Sequence, residues 1–218
     1  MPYEANIPEG MLGAGQNIIV PIVEEAADLK LPDPELVDYY LDRANRKIWV
    51  YGEITEEIVE LNKLIMQYNT EDANIPVDER KTIFVYIYSG GGDSTAANSF
   101  IATIEASQTP VVTVNMGAAY SAAGLILLAG HRRYTMKRAE VMIHQGYAQV
   151  VGTVAEVAER QKYIERDMQR DKEYILAKTK ITPRQYANHR KDDWWIPDNE
   201  QVELGIVDAI VTDINQIM

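Results

Sequence analysis

TIFVYIYSGGGDSTAANSFIATIEASQTPVVTVN, residues 82–115, decides the fold. TIFVYIY (82–88) is a β-branched and aromatic run, which predicts a buried strand. SGGG (89–92) follows. TAANSFIATIEAS then places Ala97, Phe100, Ile101 and Ile104 at helical spacing on one face. Thr109-Pro110 breaks that helix, and PVVTVN (110–115) reads as the next strand. A strand, a covering helix and a second strand predict a parallel sheet with helices packed on it, hence an α/β fold.

The pattern continues outward from this unit. Upstream, PELVDYYLDRAN (34–45) predicts a helix with Leu36, Tyr39, Tyr40 and Ala44 on one face. KIWVYG (47–52) predicts a buried strand ended by glycine. TEEIVELNKLIMQYN has helical spacing at Ile58, Leu61, Leu64 and Ile65, and 69–81 reads as an acidic, proline-containing loop. Downstream, RRYTM and EVMIH predict two short strands. Thr153 and Glu156 form a capping box that opens the longest helix. Along that helix only a narrow stripe is apolar (Val157, Ile164, Met168, Ile175), which suits a projecting element that meets a partner. GIVDAIV (205–211) predicts a closing strand. Residues 1–19 read as a flexible extension and IIVPIVEE as a short extended piece.

Composition narrows the function. The 218 residues are 46% hydrophobic and 25% charged, an ordinary globular balance. A net charge of −12 argues against nucleic acid as a partner, because that affinity rests on Lys and Arg facing phosphates. With no cysteine, neither a disulfide nor a thiolate metal site is expected. The opening residues have no basic n-region and no long apolar core, so no secretory signal is expected. No apolar run is long enough to predict a membrane span. No G-x-x-x-x-G-K-[ST] loop is present, so no nucleotide or other cofactor is expected.

The candidate chemistry sits where strands end, the usual location of sites in open α/β sheets. GAAYSAAGLILLAG (117–130) is almost wholly small and apolar, yet carries one hydroxyl, on Ser121. A buried hydroxyl must find a partner or cost about 1–3 kcal/mol. A helix N-terminus suits a nucleophile, since its free N–H groups and positive dipole end stabilise a developing oxyanion. Glycines 90–92 can present backbone N–H groups with no side chain in the way. Of the three histidines, His131 lies in a basic turn and His189 at a polar helix end. His144 alone follows an apolar strand, where a satisfied core histidine is an equally good reading of the spacing. A catalytic histidine needs a carboxylate to fix its tautomer, and Asp192 and Asp193 are both candidates.

These residues resemble the ClpP family, the proteolytic subunit of the ATP-dependent caseinolytic protease. YSGGGDSTAA resembles the family's N-S-P-G-G and T-A-G pattern. GAAYSAAGLILLAG resembles its nucleophile segment, AEVMIHQG its R-x-M-I-H-Q-P, and KDDWWIPDNEQVELGIVD its final acidic motif. The matches run in order from about Val20 to Val211.

The resemblance implies a crotonase-like spiral of strand–helix units forming one peptidase domain over residues 20–218, with a protruding strand–helix handle at about 145–180. It implies Ser121 as nucleophile, His144 as general base, Asp193 as triad aspartate, and the N–H groups of Gly92 and Ala122 as the oxyanion hole. Asp208 is then structural. It further implies a cytoplasmic serine endopeptidase acting on unfolded proteins. Its partners are copies of itself in heptameric rings, stacked as a tetradecamer, and an AAA+ unfoldase. Neither a membrane nor a nucleic acid is implied as a partner. Two alternatives stay open: a catalytically silent subunit of a mixed ring, and a crotonase-fold acyl-CoA enzyme. Departures from the family pattern are Gly90 where it has proline, Ala122 where it has methionine, and Asp192 where it has arginine between two acids.

Overall fold

The computed structural model describes residues 34–189 and 192–218. The extension over residues 1–19 and the extended piece at 20–25 lie outside the described residues.

Among the described residues, seven strands form one sheet: β1 (Lys47–Ile54), β2 (Ile83–Gly92), β3 (Val111–Tyr120), β4 (Arg132–Thr135), β5 (Glu140–Ile143), β6 (Trp194–Pro197) and β7 (Ala209–Ile210). The order is β1-β2-β3-β4-β7, all parallel. The long strand β3 forks the sheet. Its first half, Val112–Asn115, pairs with β4, and its second half, Ala118–Tyr120, pairs with β5. β6 then pairs antiparallel with β5.

The expected central unit is present, with α3 at Ser94–Ala106 between β2 and β3. Asp93 caps α3 by accepting from Ala96 N–H at 2.7 Å, which satisfies one of the helix's orphan donors. Ala97, Phe100, Ile101 and Ile104 are all buried. With α2 (Val59–Glu71) and the apolar α4 (Ala122–Ala129), they cover one face of the sheet and form the main core. A smaller apolar cluster on the other face joins Tyr86, Val112, Val114, Val211 and Ile217. Alternation along β2, with Val85 and Ile87 in one cluster and Tyr86 in the other, is the two-residue period of a strand covered on both sides.

Several boundaries differ from expectation. β1 does not end at Gly52; it continues to Ile54 through a register shift between Tyr51 and Glu53. It is also half exposed at Trp49 and Tyr51, because it is an edge strand. β2 runs on through SGGG and β3 on through GAAY. The loop expected from 69 begins only after Glu71 and contains a 3-10 turn at Val77–Glu79. The closing strand shrinks to Ala209–Ile210. WWIP is aromatic and β-branched but too short a run to mark a strand by itself, yet it forms β6.

α1 (Pro34–Ala44) forms as expected, and its shared face of Leu36, Tyr39, Tyr40 and Ala44 is exposed. α5 spans Val154–Lys178 behind the expected capping box of Thr153 and Glu156. Of its stripe only Ile175 is buried; Val157, Ile164 and Met168 are partly covered. The handle's expected strand is not formed: residues 145–152 carry no strand and are largely exposed. An extended segment needs a neighbouring strand to hold it, and among the described residues none pairs with this one. Two short helices, α6 (Pro183–His189) and α7 (Asp198–Glu203), flank β6.

Candidate active site

Ser121 is the single residue between the end of β3 and the start of α4. Its backbone has φ 54° and ψ −125°, a sparsely populated conformation that costs on the order of 1–3 kcal/mol in a non-glycine residue. The surroundings hold it there. Its N–H donates to Met142 O at 2.8 Å, and its carbonyl accepts from Gly124 N–H at 3.0 Å. All of α4 except Leu125 is buried, which anchors the far side of the elbow. The small, apolar composition around Ser121 is therefore what lets a helix start inside the core directly after a strand.

Strand pairing delivers the histidine. β5 lies beside the end of β3 with Tyr120 opposite Met142, so His144 arrives next to Ser121. The Ser121 Oγ to His144 Nε2 distance is 2.7 Å. β6 delivers the carboxylate: Ile143 faces Trp194, so the next residues outward, His144 and Asp193, face each other. His144 Nδ1 and Asp193 Oδ1 are 3.5 Å apart, longer than an ordinary N–H···O bond of about 2.7–3.2 Å. Asp193 has 55% of its side chain exposed. The geometry thus separates the two acids that spacing left open. Asp193 points to His144, whereas Asp192 is exposed and its N–H donates to His189 O at 3.1 Å.

The other histidines have structural surroundings. His131 Nδ1 accepts from Val111 N–H at 3.0 Å, tying the turn before β4 to β3. His189 stacks on Trp194, with ring centroids 4.2 Å apart. Asp208 accepts from Arg133 N–H at 2.8 Å and so joins the C-terminal segment to β4, in keeping with a structural role.

The glycines divide their duties. A Cβ on Gly92 would lie 2.2 Å from Ile54 O, so Gly92 is packed against β1. A Cβ on Gly91 would meet Tyr120 O at 2.7 Å, Ser121 Cβ at 2.8 Å and Ala122 N at 3.2 Å. The glycine whose bareness makes room for Ser121 is therefore Gly91, which the sequence pattern grouped with Gly90 and Gly92 without a role of its own. Its signal was the triple glycine itself, longer than one tight turn requires. Ala122 opens α4, where first-turn N–H groups have no intrahelical acceptor.

Tyr120, just before the serine, reaches Glu140: its hydroxyl donates to Oε2 at 3.4 Å. Burial, and then the neighbouring Glu140 carboxylate, push the Tyr120 phenol up. Among the described residues no group of three or more His, Cys, Asp or Glu side chains is placed to hold a metal ion, and no helix is long and apolar enough to cross a membrane.

A family model, Clp protease, matches residues 37–214. The chain belongs to the Clp protease family. Relatives include the ATP-dependent Clp protease proteolytic subunit 2 of Treponema denticola, 29% identical over 203 residues, covering 92% of this chain and 98% of that protein. Proteolytic subunit 1 of Corynebacterium jeikeium is 31% identical over 176 residues, covering 78% and 89% respectively. Among solved structures, a ClpP1 point mutant from Listeria monocytogenes superposes with a TM-score of 0.71 at 24% identity, covering 84% of this chain and 99% of that one. The ClpP/crotonase-like α/β fold is thus shared, and peptidase function is supported at the level of the Clp protease family.

Proposed function

We propose that this chain is a serine endopeptidase subunit in which Ser121, His144 and Asp193 act together. The observation that carries this reading is the 2.7 Å contact between Ser121 Oγ and His144 Nε2 at a strained strand–helix elbow. His144 takes the hydroxyl proton as Oγ bonds to the scissile carbonyl carbon. The N–H of Ala122, and that of Gly92 from the glycine segment, receive the oxyanion. The C–N bond then breaks, and His144 returns its proton to the leaving amine. Water, deprotonated by His144, hydrolyses the acyl-enzyme and frees Ser121. Asp193 holds the His144 tautomer; the 3.5 Å separation must shorten for a full hydrogen bond.

The proposal extends to assembly. The exposed apolar residues of α1 and the partly covered stripe of α5 suit contacts between copies in heptameric rings stacked as a tetradecamer. Relatives named as ATP-dependent proteolytic subunits support an AAA+ unfoldase as partner, unfolded proteins as substrates and the cytoplasm as location.

One observation favours a second reading, a catalytically silent subunit of a mixed ring: the carboxylate arm is long and Asp193 is exposed. A fluorophosphonate probe with peptide mapping separates the two. Label on Ser121 in assembled protein supports the peptidase, and its absence there supports the silent subunit.

A further inference from the structure

The face of the sheet that carries the Ser121–His144 pair does not end at Asp193. Side chains two residues apart on a strand share a face. His144 and Met142 therefore lie on one face of β5, with Glu140 beyond them, and Asp193 and Trp195 share the matching face beside β6. Register sets these residues in rows: Tyr120 beside Met142, and Met142 beside Trp195. The second row stands about 6.6 Å from the row of His144 and Asp193, two residues of strand rise.

In that second row Tyr120 and Trp195 reach toward each other across β5. Their ring centroids are 4.9 Å apart at an interplanar angle of 80°, an edge-to-face pair. Trp195 is 49% exposed and Met142 lies buried beneath. Such a pair offers an aromatic surface with a half-exposed indole, beside the residue that precedes the reacting serine. At its far end is Glu140, an exposed carboxylate that accepts the Tyr120 hydroxyl at 3.4 Å. No lysine or arginine among the described residues comes within ion-pair distance of Glu140.

An aromatic surface ending in an unpaired carboxylate has the chemistry that receives a long apolar stem with a cationic tip. Resting on this chain being a peptidase, we propose that Tyr120, Trp195 and Glu140 form a specificity wall that selects substrates with lysine or arginine flanking the scissile bond. The stem lies along the two rings, the cation over the Trp195 face gains a cation–π attraction, and Glu140 pairs with the charge. An aspartate or glutamate at the same place faces like charge.

The test is kcat/KM of the assembled full chain on two peptide sets, one varied on the acyl side and one on the leaving side of a single cleavable bond. Each set carries Lys, Arg, Leu or Asp at that position. In at least one set Lys and Arg are expected to exceed Leu, with Asp lowest. Glu140→Gln and Trp195→Ala should each lower the Lys-to-Leu ratio roughly fivefold to thirtyfold, whereas Tyr120→Phe, which keeps the ring, should retain most of it. Oligomer size and fluorophosphonate labelling of Ser121 are read on every variant. Labelling with no preference for Lys or Arg in either set overturns the wall and leaves the peptidase reading intact. A ratio change that appears only with loss of assembly also overturns it. Absence of labelling in assembled wild type overturns the peptidase reading, and the wall falls with it.

Discussion

A methyl group on Gly91 would lie 2.8 Å from the Cβ of Ser121, closer than real side chains approach. Gly91 also has φ 95°, a conformation that L side chains rarely adopt. β2 therefore reaches the elbow only because this residue is bare, and any side chain there must push Ser121 and the Ala122 N–H out of place. Gly91→Ala is expected to lower fluorophosphonate labelling and peptide turnover by about a hundredfold or more, the scale of a 1 Å misplacement at a reacting centre. Gly90→Ala is the control. No atom lies within 4 Å of a Cβ at Gly90, and its φ is not positive, so labelling should stay near wild type. Equal loss in both variants would show that the whole glycine segment, and not Gly91, governs the elbow.

Asp193 faces His144 Nδ1, and Asp192 does not. Asp193→Asn is expected to leave the fold intact and lower peptide turnover by about 10⁴, the cost of the wrong histidine tautomer in such triads. Asp192→Asn should cost far less. Short-peptide hydrolysis on assembled protein checks both. A dead Asp192→Asn beside a nearly normal Asp193→Asn would shift the third member of the set by one residue.

Acid should loosen the turn before β4. His131 accepts Val111 N–H through Nδ1, which requires the neutral ring. Burial, and then the Lys178 ammonium, hold its pKa below 6.5, against a smaller opposing pull from Glu105. A folded-state pKa below the unfolded one means that this stability is fully present above about pH 6.5. It is lost as pH falls from there through the folded value. His131→Asn keeps an acceptor but removes the titration, so its Tm should fall less than wild type between pH 7.5 and pH 5. Identical acid sensitivity would assign the loss to titrating groups other than His131, and not to Asp72. That buried carboxylate is held below its usual range by its hydrogen bond to Arg46, and its contribution fades only as pH falls below about 3.8.

Much of the architecture was legible locally. The β-branched run at 82–88 made a strand, Ala97 through Ile104 made the inward face of α3, and Thr153 with Glu156 made the cap of α5. These features follow from spacing and capping, which a few neighbouring residues settle. The misreadings share a cause. KIWVYG looks buried because its residues are apolar, yet edge strands expose one face whatever their composition. WWIP has strand-favouring residues but is too short to mark a strand, because four residues before a helix become one only when a partner, here β5, supplies the ladder. The handle strand fails for the opposite reason: residues 145–152 have no strand partner among the described residues.

The candidate site divides in the same way. Sequence alone singled out Ser121 as a hydroxyl in an apolar helix start, His144 as the histidine after an apolar strand, and Asp192 and Asp193 as candidate carboxylates beside two tryptophans. These are properties of each residue's own neighbourhood. Their convergence came from tertiary structure. Residues 121, 144 and 193 meet because β3 forks to pair with β5, and β5 pairs with β6 in a register that sets His144 against Asp193. Family resemblance favours Asp193 over Asp192; the register supplies a physical reason. Register also placed Tyr120 against Trp195 and made Gly91 the glycine that touches Ser121. Pairing register is chosen by which faces the whole core buries, and a one-residue slip turns every side chain to the other face. Local spacing carries the identity of each element, and only the packed sheet decides which residues stand opposite one another.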